Sequence, residues 1–185
     1  MRIEDSAGAP ARIHGFPPIA TARARILILG SMPGEASLRA YEYYAHPQNL
    51  FWKVVGEVLG YQGGIGTQGA GLREAPYAGK LRVLDSAGIA LWDVLASCHR
   101  KGSLDSDIDP SSRVANDFAG FFAEHDRIVR VLFNGATAEA CFRRHVASSL
   151  GEHAIHFVKL PSTSPANASI PYARKLAEWR AALSG

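Results

Sequence analysis

The chain alternates short, almost wholly apolar runs with longer stretches in which apolar residues recur at helical spacing. Arg25 to Gly30 (RILILG) is mostly apolar and closes on glycine, which predicts a strand buried on both faces of a parallel sheet. Ile89 to Leu95, Ile128 to Phe133 and Ala154 to Leu160 repeat the pattern and predict three more strands. Gln48 to Leu59 spaces Phe51, Trp52, Val55, Val58 and Leu59 as one helical face, with Gly60 at the stop. Arg73 to Gly88 reads as partly helical despite Pro76 and Gly79, and Asn116 or Asp117 can cap a helix through Glu124. Ala136 to Leu150 predicts a further helix. Pro171 opens a last one that sets Tyr172, Leu176, Trp179 and Leu183 on one face. This succession predicts an α/β fold with a parallel sheet inside an α/β/α sandwich.

Other stretches lack such periodicity. Gly60 to Gly71 holds six glycines and reads as a loop. Ser97 to Asn116 is polar and turn-rich, with Asp105, Asp107 and Asp109, and predicts an excursion over the surface. Residues 1–24 read as an N-terminal packed arm, and no internal repeat divides the chain, so 1–185 is expected to be a single domain.

Composition narrows the class. With 185 residues, 47% of them hydrophobic, one core can cover most of its apolar area without disulfides or a structural metal. No apolar run reaches the roughly 18 residues of a membrane span. The charged start Met1-Arg2-Ile3-Glu4-Asp5 lacks a secretory apolar stretch, so a cytoplasmic location is expected. Cys98 and Cys141 are too few for a four-thiolate cluster and read as reduced, buried thiols. A formal charge of +3 permits a nucleic-acid partner without demanding one.

Three strand ends carry unusual loops: Gly30-Ser31-Met32-Pro33-Gly34, Asn134-Gly135, and Leu160 through Ser169. In a parallel sheet they converge on one edge, where α/β folds build sites. Glycines at both ends of the first loop let backbone N–H groups approach a ligand closely, although the same residues also make an ordinary turn. In the third, Ser162, Thr163, Ser164, Asn167 and Ser169 on a proline-stiffened loop suit hydrogen bonds to phosphate oxygens, or simply a solvated turn. Between Tyr41 and Trp52, aromatic rings precede a proline and a primary amide, Asn49, expected in the first helical turn. A ring beside an amide can hold a flat base and orient a water. Phe51 and Trp52 read as core.

Other chemistries fit poorly. Cys141 with His145, and Cys98 with His99, lack the paired spacing of zinc sites, so no metal and no cofactor is expected. Asp105, Asp107 and Asp109 lack the glycine and terminal glutamate of a calcium loop and read as a solvated acidic turn. Walker, dinucleotide-fingerprint, HExxH and nucleophile-elbow patterns are absent.

Gly30 to Gly34, Tyr44-Ala45-His46-Pro47-Gln48-Asn49-Leu50-Phe51-Trp52, Phe133-Asn134-Gly135 and Leu160 to Ser169, in this order, resemble the uracil-DNA glycosylase superfamily, particularly its hypoxanthine branch. Gly102 to Ser106 adds to the resemblance. It implies a three-layer α/β/α sandwich around a four-stranded, mainly parallel sheet with the site at the strand ends. It implies a monofunctional glycosylase, acting as a monomer on DNA that contains a deaminated base, chiefly deoxyinosine. The chain departs from other branches at Met32, where they carry a catalytic asparagine, aspartate or glutamate. It also departs at Leu160, where the uracil enzymes carry a histidine. The resemblance instead places catalysis on Asn49 and base stacking on Tyr44. Gly30, Ser31, Met32, Pro33, Gly34, His46 and Asn134 complete the base-binding set. Ser162, Thr163, Ser164, Ala166, Asn167 and Ser169 are the expected DNA contacts. A broad uracil/thymine mismatch glycosylase, a non-catalytic lesion-binding module and a small-molecule enzyme with a phosphate-binding glycine loop are the alternatives.

Overall fold

The structure is a computed structural model that describes residues 12–63, 69–150 and 154–184. Its centre is a four-stranded, all-parallel sheet in the order β3-β2-β6-β7, formed by β2 (Ile26–Gly30), β3 (Ile89–Asp93), β6 (Arg130–Asn134) and β7 (His156–Leu160). The strands lie close to the four apolar runs because each is buried on both faces, which removes the alternation that marks a half-exposed strand. Leu27, Leu29, Val131 and Phe133 pack into one core with Phe118, Phe121 and Phe122 of α4 (Phe118–Glu124) and with Ala138, Cys141 and Phe142 of α5 (Ala136–His145). Ile28, Leu132 and Leu160 face the opposite core. There they meet Phe51, Trp52 and Val55 of α2 (Phe51–Val58), Leu84 of α3 (Tyr77–Ser86) and Trp179 of α6 (Tyr172–Ser184). This is the expected three-layer sandwich.

Several boundaries move for physical reasons. The run Ile89 to Leu95 is two strands, because the chain turns at Val94 out of the parallel sheet into β4 (Leu95–His99). There β4 pairs antiparallel with β1 (Arg12–His14) and β5 (Val114–Ala115), a small second sheet inside what reads as a surface excursion. Part of the N-terminal arm is thereby fixed: Phe16 is buried, and Ile19 bridges Leu91 through two backbone hydrogen bonds. Residues 1–11 of that arm, and 64–68 of the glycine loop, lie outside the described residues. The helix expected from Ala136 to Leu150 stops at His145, followed by a 3-10 turn at Ala147–Ser149. A short α1 (Glu35–Ala40) follows the first loop directly.

Candidate active site

The chain adds β3 on one side of β2 and β6 on the other, so its connections part at the C-terminal ends of β2 and β6. Ligands of open α/β sheets bind at such a point. A cleft of about 860 Å³ opens there, and the first loop, the Tyr44 to Asn49 segment and the serine loop all reach it.

The first loop is held from outside. Ser31 Oγ donates to Asp105 Oδ1 at 2.6 Å, and Glu35 N–H donates to Ser103 Oγ at 3.0 Å. Buried Arg100 donates from Nη2 to Pro33 O at 2.6 Å and from Nε to Gly102 O at 2.8 Å. Ser103 to Ser106 are therefore a wall of the cleft. Asp105 sits on that wall instead of in the solvated acidic turn its sequence context predicts. Met32 is buried, contributing an apolar surface shared by core and cleft.

Asn49 lies just ahead of α2, whose first residue is Phe51, and not in its first turn as expected. The reason is visible in its side chain: Oδ1 accepts the Phe51 N–H at 2.9 Å, satisfying one of the helix's free donors from outside. This fixes the amide plane at the cleft, and among the described residues Nδ2 makes no hydrogen bond. The Leu50 N–H meanwhile donates to Thr163 O at 3.0 Å, tying this segment to the serine loop.

Tyr44 adopts a left-handed backbone (φ 57°), uncommon for a bulky residue, and its ring stacks on Phe51 at 3.9 Å between centroids, 18° from parallel. Its hydroxyl is buried without a hydrogen-bond partner of normal geometry. Burial, then the nearby Asp93 charge, push its pKa well above the ordinary value, opposed in part by the approach of the Asn134 amide. His46 is exposed on the rim, with Nδ1 accepting the Gln48 N–H at 3.1 Å.

The serine loop is braced from beneath. Asn134 Nδ2 donates to Thr163 Oγ1 at 2.9 Å, and the Thr163 N–H donates to Asn134 Oδ1 at 2.8 Å. Thr163 is fully buried, so its hydroxyl locks the loop to β6 and is withdrawn from the phosphate-facing role expected for it. Asn134, expected at the base edge, spends its amide chiefly on that lock. Gly135 makes the lock possible: it has φ 107°, and a Cβ there would stand 2.9 Å from Ser162 Cβ. Lys175, 1% exposed, donates from Nζ to Ser162 O at 2.5 Å and Asn167 O at 2.7 Å, closing both ends of the loop. Trp179 Nε1 holds Pro161 O at 3.0 Å. Ser162, Ser164, Ala166 and Asn167 reach the cleft, whereas Ser169 is exposed away from it. Ser162 Oγ and Ser164 Oγ accept backbone N–H groups of the loop, which leaves each hydroxyl proton free to donate.

Several groups were missed by sequence reasoning. Asp93 ends β3 inside the cleft wall at 4% exposure, and its Oδ2 has no hydrogen-bond partner. Burial, then repulsion from Asp105, lift its pKa to about 7, with Arg100 opposing. The available signal was its position, a single carboxylate in the apolar run Ile89 to Leu95. Lys175 carried a similar signal, as a cation three residues from Tyr172 and four from Trp179 on the apolar stripe.

The sequence model of the uracil DNA glycosylase superfamily matches residues 17–183, and the chain belongs to this superfamily. Within it, the chain is 36% identical over 125 residues to the hypoxanthine DNA glycosylase of Methanosarcina acetivorans, covering 68% of this chain and 72% of that protein. It is also 36% identical over 122 residues to the hypoxanthine DNA glycosylase of Methanosarcina barkeri, covering 66% and 70%. A solution NMR structure of a Methanosarcina acetivorans protein, described as a candidate uracil DNA glycosylase, shares the fold. Its TM-score is 0.75 at 32% identity, over 94% of this chain and 97% of that one.

Proposed function

We propose that this chain is a DNA base-excision glycosylase that hydrolyses the N-glycosidic bond of a deaminated base, chiefly deoxyinosine, and releases hypoxanthine. The observation that carries the reading is the pairing of Asn49 and Tyr44 across one strand-end cleft, in a chain similar to two hypoxanthine DNA glycosylases.

A stacked base hides its sugar carbon, so the nucleotide is extruded at a cost of roughly a few kcal/mol, least for a mispaired base. In the cleft, the free face of Tyr44 takes the extruded base, backed by Phe51. The Asn49 amide, oriented by the Phe51 N–H, holds the attacking water by hydrogen bonding and does not take its proton. Bond cleavage gives an oxocarbenium-like sugar, so positioning and charge stabilisation suffice without a protein nucleophile. Ser162 and Ser164 contact the DNA backbone, and Ala166 and Asn167 fill the vacated stack. All these groups come from one chain, which agrees with action as a monomer, and a cytoplasmic location goes with the same reading. No described helix is long and apolar enough to cross a membrane.

Buried Leu160 on the cleft wall offers no hydrogen bond where the uracil enzymes carry a histidine, which favours inosine over uracil. Duplexes containing inosine, uracil, xanthine or mismatched thymine, assayed side by side for abasic product, test this. Inosine cleaved fastest supports it; uracil cleaved as fast or faster overturns it.

A further inference from the structure

We infer that Asp93 is the general acid of this reaction, passing its carboxyl proton to the imidazole-ring nitrogen N7 of the departing purine. The inference rests on the glycosylase reading above and adds the group that activates the leaving base.

The carboxyl is built into the cleft and left without a protein partner. β3 aligns Asp93 with Gly30 of β2, and Asn116 Nδ2 donates to Asp93 O at 2.8 Å, so the backbone is fixed on both sides. The side chain fills the space that glycine leaves: a Cβ on residue 30 would stand 2.3 Å from Asp93 Oδ1 and 3.3 Å from Tyr44 Oη. Carboxyl and phenol therefore flank Gly30 on one wall, and Asp93 Oδ2 and Tyr44 Oη are buried without a hydrogen-bond partner of normal geometry. Buried polar atoms are almost always satisfied, and an exception facing a cleft leaves a bonding position open to what binds there.

Burial, then the charge of Asp105, raises the Asp93 pKa to about 7, so a substantial share of the carboxyl holds its proton at neutral pH. Asp105 and the phenols of Tyr43 and Tyr44 surround it, and the charge of Asp105 opposes its ionisation. Among the described residues Arg100 is the cation that opposes this effect; its Nη2 and Nε donate to Pro33 O and Gly102 O, and its Nη1 is buried without a partner. Among the described residues of the cleft, the other carboxylates are placed differently: Asp105 accepts from Ser31 Oγ, Glu178 pairs with Arg174, and Glu35 is exposed. The Asn49 amide transfers no proton, the Tyr44 phenol is pushed further from ionisation by burial, and His46 is exposed on the rim. Hypoxanthine offers what uracil and thymine lack, a basic ring nitrogen that stays free when the base is attached to sugar. The Asp93 O–H bond breaks as N7–H forms, and the C1′–N9 electron pair moves into the ring, so hypoxanthine leaves neutral. The water held by Asn49 adds to C1′, and the proton it loses restores Asp93.

The test is single-turnover cleavage of a deoxyinosine duplex across pH 5–9 by wild type and by Asp93→Asn, which keeps the shape and removes the acid. The wild-type rate should be flat at low pH and fall tenfold per pH unit above about 7. Asp93→Asn should be slower by roughly 100-fold or more, without that fall. On a 7-deaza-deoxyinosine duplex, wild type should drop to a similar degree and Asp93→Asn should lose nothing further. A merely structural role would make the two losses multiply. That result, or Asp93→Asn retaining the wild-type rate and pH curve, overturns the inference while leaving the glycosylase reading intact. Absence of any wild-type cleavage refutes both.

Discussion

Asp93→Asn should make this protein more stable at pH 8 than at pH 5, relative to wild type, because the wild-type carboxylate is buried without a partner. Its pKa rises from the ordinary 3.8 to about 7 in the folded chain. Between those values the native state holds a proton that the unfolded chain has released, so wild-type stability falls as pH rises through this interval and levels off above 7. The full penalty on the charged form is on the order of 4 kcal/mol, of which about 2–3 kcal/mol develops between pH 5 and pH 8. Asparagine does not titrate, so its stability relative to wild type should grow by that amount over the same range. For a chain of this size the difference corresponds to roughly 5–10 °C in Tm. Thermal unfolding of both proteins at the two pH values measures it directly. A stability difference that is the same at pH 5 and pH 8 would refute the claim that Asp93 is a buried, unpaired acid, whatever the activity data show.

Other predictions concern the loops. Asn49→Ala should abolish base release while binding to inosine DNA survives, at a stability cost of about 1 kcal/mol for the lost Phe51 N–H partner, read by cleavage, binding and melting in parallel. Ser162→Ala and Ser164→Ala should weaken binding to lesion and undamaged duplex alike while leaving its salt slope nearly unchanged, since a neutral hydroxyl releases no counterion. Thr163→Val should instead cost about 1 kcal/mol of stability, since its hydroxyl serves Asn134. Lys175→Met removes the ammonium donor from two loop carbonyls and should lower Tm and accelerate proteolysis within 161–169; an unchanged digestion pattern would show the clamp to be dispensable.

The parallel sheet was legible because strands buried on both faces leave continuous apolar runs, and the strand ends led to the cleft. The small antiparallel sheet was not, since its strands β1 and β5 have only three and two residues, too few for any period. The asparagine ahead of α2 was legible as a residue but not in its setting, because an amide that caps from outside looks, in sequence, like one inside the first turn. Thr163 and Ser162 are neighbours of the same chemical character, and only the Asn134 lock separates a buried brace from a surface donor. Asp93, Arg100 and Asp105 escaped for a related reason. Their roles depend on the turn at Val94 that folds residues 95–106 back across the first loop, a tertiary event with no local pattern.

Base release is read by mass spectrometric detection of free hypoxanthine after incubating the protein with a deoxyinosine duplex, alongside Asn49→Ala. Wild type should give one free hypoxanthine per abasic site and the variant none, which is the result expected of a glycosylase that uses Asn49. Tight binding of the duplex by wild type with no free base would contradict that reading.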